Sequence, residues 1–89
     1  MKKLLITHEV NDLEWWLGHN SLDAVWSEYG IEYEIFTQKN SSRVAILATV
    51  PNAQLIDDVL RNSTLATTSM RADGVIMETL QIFEHHSAA

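Results

Sequence analysis

His8, Trp15, His19, Tyr33, Met70 and Met77 are the residues of this chain whose types and spacing suit chemistry or ligand contact. His8 comes late in an apolar run and, if that run is a strand, shares a face with Leu4 and Ile6. An imidazole titrates near neutrality, so His8 there suits a general base or a hydrogen-bonding group in a pocket. The plainer reading is a histidine at the margin of a sheet. Trp15 and His19 are four residues apart, so on a helix their side chains touch. They lie off the stripe of Leu13, Trp16 and Leu17, which leaves Trp15 to meet a second subunit or to stack on a ligand. Tyr33, Met70 and Met77 are candidates to line a cavity between helices and sheet, set against the ordinary use of methionine as a core gap-filler. Trp16, Trp26 and Tyr29 fall on apolar stripes and are expected in the core.

Other chemistries find little support. Metal sites need converging ligands, but His85 and His86 are adjacent and would point apart on a strand, and no HxH or HxxxH occurs. With no cysteine there are no thiolate ligands and no disulfides. Neither a metal nor a cofactor is expected. The serines sit mainly in cap and turn positions, without a G-x-S-x-G elbow. Gly18, Gly30 and Gly74 are isolated and make no phosphate-binding loop. The net charge is −6, from twelve acidic and six basic residues, and the basic ones are scattered apart from Lys2-Lys3. A polyanion is repelled on average, so nucleic acid is not an expected partner.

The elements that must position these residues follow from periodicity. Lys3 to Val10 reads as a strand, and Asn11, with Glu14 three residues on, reads as a helix cap. The helix weakens at Gly18-His19-Asn20. Ser21 is placed to cap a second segment carrying Leu22, Val25, Trp26 and Tyr29, which Gly30 ends. From Ile31 to Thr37 the pattern alternates, with Ile31, Tyr33 and Ile35 opposite Glu32, Glu34 and Phe36. A polar turn, residues 38–42, leads to RVAILATV, whose nearly unbroken apolar character marks a strand covered on both faces. Pro51 ends it and Asn52 caps a helix burying Leu55, Ile56, Val59 and Leu60. After a break at Asn62-Ser63, a short helix runs to Ala72. Asp73-Gly74 then leads into a last strand, Val75 to Glu84, and residues 85–89 form a tail.

Eighty-nine residues fit one domain, 1–89, and so short a chain hides only about 60 % of its unfolded surface. The order strand, helix, strand, repeated once, predicts an α+β domain of ferredoxin-like βαββαβ type. Its sheet has four antiparallel strands in the order 4-1-3-2, with the helices on one face. Strands one and three belong inside; strands two and four carry Glu32, Glu34, Glu78 and Gln81, which suit edges. In RVAILATV both alternating sets are largely apolar, so the helix-free face is apolar too. A homodimer through that face is the expected way to cover it. The start, MKKLLITHEV, has an apolar run far shorter than a secretory core of about 7–15 residues, and no segment approaches the ~20 apolar residues of a membrane span. A cytoplasmic protein without membrane contact is expected.

PNAQLIDDVLRNSTLATTSMRADGV resembles the second half of the dimeric α/β-barrel superfamily, which includes stress-responsive A/B-barrel and antibiotic-biosynthesis-monooxygenase-type proteins. The likeness lies in the Asn-started helix, the Asn62-Ser63 break, the short helix with Met70, and Asp73-Gly74-Val75 entering the last strand. The first half adds a short Trp-containing helix and Tyr29-Gly30-Ile31 entering strand two. The resemblance implies two sheets packed face to face in a barrel-like dimer. Many members have no known activity, so it does not imply a reaction. Some relatives degrade haem with an Asn–Trp–His set, which finds no matching elements here.

Three functions follow as expectations. One is a small dimeric protein binding an apolar or aromatic ligand between helices and sheet, with Trp15, His19, Tyr33, Met70 and Met77 as contacts. Another is a cofactor-independent monooxygenase-like or isomerase-like enzyme with His8 as base. The third is a structural or interaction module without a pocket.

Overall fold

The computed structural model describes residues 2–20, 26 and 30–86. Its described elements are β1 (Lys2–Val10), α1 (Leu13–His19), β2 (Glu32–Thr37), β3 (Arg43–Val50), α2 (Ala53–Asn62), α3 (Thr64–Ala72) and β4 (Val75–Glu84). The four strands form one antiparallel sheet in the order β2-β3-β1-β4. The two most apolar strands are the interior pair, and the strands rich in Glu lie at the edges. Among the described residues no helix is long and apolar enough to cross a membrane.

Strand alternation sorts the side chains. Leu4, Ile6, His8 and Val10 of β1, with Val44, Ile46, Ala48 and Val50 of β3, are buried beneath the helices. Trp16, Trp26, Ala53 and Leu60 close over them to complete the core. The opposite face carries a cross-strand row Leu47–Leu5–Phe83 beside Phe36. Leu5, Phe36 and Phe83 are exposed there.

Local signals explain the boundaries. Asn52 Oδ1 accepts from the Leu55 N–H (3.1 Å) at the start of α2. Ser63 serves two helices: its N–H donates to Val59 O (3.0 Å), and its Oγ accepts from the Ala66 N–H (3.3 Å). Gly30 and Gly74 both take positive φ, 68° and 87°, where a side chain is unfavourable. Asn40, at φ 59° in the β2–β3 turn, is a residue type that tolerates this region.

Three expectations change. The cap of α1 is Asp12, whose Oδ1 accepts from the Trp15 N–H (3.1 Å). Asn11 instead donates its N–H to Gly74 O (2.9 Å) and ties the end of β1 to the start of β4. Leu17 faces outward rather than joining Trp16 in the core. In α2, Ala53 and Leu60 point inward with Ile56 partly buried, while Leu55 and Val59 are exposed. Five apolar residues on ten positions are more than one face can bury, and small Ala53 lets the start of the helix approach the sheet. Ser21, Leu22, Val25, Tyr29 and the end of the tail lie outside the described residues.

Candidate functional site

The site is a cleft of about 570 Å³ between the helices and the buried sheet face. Ile6, His8 and Ile46 form its floor, and Trp16, Trp26 and Ile31 line the side next to α1. Leu55, Val59 and Leu60 of α2, then Leu65, Ala66 and Met70 of α3, line the other side. Leu55 is 56 % exposed and Leu65 80 % exposed, so the cleft has an apolar rim open to solvent. Large apolar area left wet beside a concavity is a feature of binding sites.

His8 is the polar group of the floor, and only 3 % of its surface is exposed. Its ring meets Trp16 edge-on, with centroids 5.6 Å apart and planes at 75°. Among the described residues, His8 Nδ1 and Thr7 Oγ1 are the buried side-chain polar atoms without a hydrogen-bond partner. Burial pushes the imidazole below its usual 6.5, with a smaller opposing pull from the Glu9 backbone. His8 is therefore held neutral at neutral pH, because the imidazolium would forfeit its hydration.

The backbone around His8 is also irregular. The β1–β4 ladder runs in register to Thr7↔Gln81 and resumes at Glu9↔Ile76. Across that break β1 advances two residues and β4 five. Thr79 patches the gap: its Oγ1 accepts from the Glu9 N–H (2.8 Å) and donates to Ile76 O (2.6 Å). Such bulges occur often beside functional sites, where they re-aim a side chain. On the other side the ladder is intact, with His8 opposite Val44.

The remaining sequence candidates scatter. Met70 lines the cleft. Trp15 and His19 stack on the outside of α1, with centroids 4.6 Å apart and planes at 8°. His19 Nδ1 lies 2.8 Å from Trp15 O, which fixes the pair, and Trp15 remains 43 % exposed. Tyr33 packs edge-on to Trp26, at 5.6 Å, and Met77 packs against the core, both outside the cleft lining. Sequence reasoning missed Leu65, Ser69 and Asp73 as lining residues. Leu65 carried a signal: a large apolar residue in the first turn of a short helix with no buried stripe. Among the described residues no group of three His, Asp or Glu side chains is arranged to hold a metal. No family model matches the chain, and neither curated proteins nor solved structures match it significantly.

Proposed function

We propose that this protein is a small homodimer of the ferredoxin-like, dimeric α/β-barrel type that binds an apolar or aromatic molecule between its helices and its sheet. The observation that carries the reading is the apolar cleft with the buried His8 on its floor. Its volume falls within the range of small-molecule sites, about 300–1,000 Å³, and its lining combines large apolar surface with few polar groups. A module without a pocket gives no reason for the exposed Leu55 and Leu65 beside that concavity.

The homodimer part rests on the other sheet face. The row Leu47–Leu5–Phe83 with Phe36 is a self-complementary apolar strip, and a two-fold partner presenting the same strip would remove it from water. A monooxygenase-like or isomerase-like enzyme with His8 as base is the second reading, favoured by the neutral imidazole in the cleft. Binding is the stronger reading because, among the described residues, His8 Nδ1 has no hydrogen-bond partner to orient it, as a general base requires.

Native mass spectrometry of the protein purified from cells tests the proposal. The expected result is a dimer carrying a dissociable small molecule. A bare monomer that also fails to take up neutral aromatic probes would refute both parts.

A further inference from the structure

The cleft has a wide apolar lining and, among the described residues, no positive charge to offer a ligand. Ser63, Ser69 and Asp73 belong to that lining, but no Lys or Arg does. The chain has six basic residues, and each stands elsewhere. Lys2, Lys3 and Arg43 are exposed at the starts of β1 and β3, and Lys39 lies between β2 and β3. Arg61 pairs with Asp57 one turn earlier on α2, and Arg71 is exposed on α3. Residues 21–25 and 27–29, on either side of Trp26 in the chain, contribute Asp23 and Glu28 and no Lys or Arg. His8, the histidine of the described lining, is buried and held neutral at neutral pH.

Resting on the reading of the cleft as a ligand site, we infer that its ligand is a non-acidic apolar molecule, and that the cleft turns away carboxylates and phosphates. An anion has two ways to lie there, and both are unfavourable. Enclosed among Ile46, Leu60 and Met70, its charged group leaves water for apolar surface with no cation to meet it. Left at the open rim, it keeps its hydration but meets a lining whose charged residue is Asp73, on a chain of net charge −6. An uncharged ligand carries neither cost. An aromatic acid and its ester match the apolar lining equally well in shape, so charge is what separates them.

Chemical-shift titration of the isotope-labelled full chain at neutral pH, with methyl 2-naphthoate and with 2-naphthoate, tests this, because the two probes differ mainly in charge. The ester is expected to shift the methyl resonances of Leu60 and Met70 and to bind at least about tenfold more tightly than the naphthoate. Leu65→Lys supplies the missing cation at a rim position that is 80 % exposed, so the core is left as it is. By strengthening naphthoate binding, it should narrow the ester preference about two- to fivefold, the size of one exposed ion pair. Naphthoate binding as tight as that of the ester in the unsubstituted protein would overturn the inference and leave the cleft reading standing. An ester preference unchanged in Leu65→Lys would overturn the account of it as a missing cation. If neither probe moves the Leu60 and Met70 resonances, the cleft reading itself fails and this inference fails with it.

Discussion

Replacing His8 by Phe should stabilise the protein, an unusual expectation for a change at a fully buried position. The unpartnered Nδ1 costs about 1–3 kcal/mol in the folded state, because water that satisfied it in the unfolded chain is gone. A phenyl ring of similar shape removes that cost. It also keeps an edge contact with Trp16, now 5.6 Å away, of the kind that contributes about 0.5–1.5 kcal/mol. The extra ring volume has room, since His8 borders the cleft. A net gain of about 1–2 kcal/mol is expected above the usual imidazole pKa, equivalent to roughly 5–15 °C in Tm for a domain this small. The gap should widen in acid. The folded-state pKa of His8 lies below its unfolded value of 6.5, so the unfolded chain takes up the proton first. The contribution of His8 to stability is thus fully present above 6.5 and declines as pH falls toward the folded pKa. The variant lacks this loss, and every other titrating group is common to both proteins. Urea unfolding of the pair between about pH 8 and about pH 5 measures both effects. A variant less stable than the parent at the upper end, or a gap that stays constant with pH, would refute the account of Nδ1 as an unsatisfied, desolvated nitrogen.

Leu5→Lys puts a charge in the middle of the Leu47–Leu5–Phe83 row and should convert a dimer to a monomer by light scattering; an unchanged dimer would place the interface elsewhere. Trp16→Ala should cost about 3–5 kcal/mol, much of a small domain's stability, because the ring is buried at the centre of the core; a well-folded variant by near-ultraviolet circular dichroism would contradict that burial. Gly74→Ala should cost about 1–2 kcal/mol through its φ of 87° alone, since an added Cβ meets only Asn11 at 3.8 Å, an ordinary contact; denaturant melts showing no loss would mean that the turn relaxes.

Much of the architecture was legible in residue order. The nearly unbroken apolar run RVAILATV marked a strand covered on both faces, which lies inside the sheet beside β1. Asn52 marked a helix start and Asn62-Ser63 a helix break, because a short polar side chain offers a local backbone bond that needs no tertiary partner. Gly30 and Gly74 stand where the chain turns through positive φ. The ring contact between Trp15 and His19 was likewise readable, since four residues on a helix bring two side chains together whatever lies around them.

What the sequence determined by itself is therefore what depends on near neighbours: strands, caps, turns, and the i,i+4 stack. The tertiary structure alone decided what depends on distant ones. Asn11 and Asp12 are both good caps, and the Asn11 bond to Gly74, far along the chain, chose between them. Leu55 and Val59 match the helical period as well as Ala53 and Leu60 do, yet the approach of α2 to the sheet turned them to the cleft rim. The break opposite His8 comes from β4 carrying surplus residues past β1, a register property that neither strand encodes alone. His8 itself was visible as a residue type, but its isolation was not. A lost hydrogen bond is a relation between a nitrogen and every element packed around it, and only the assembled fold specifies that relation.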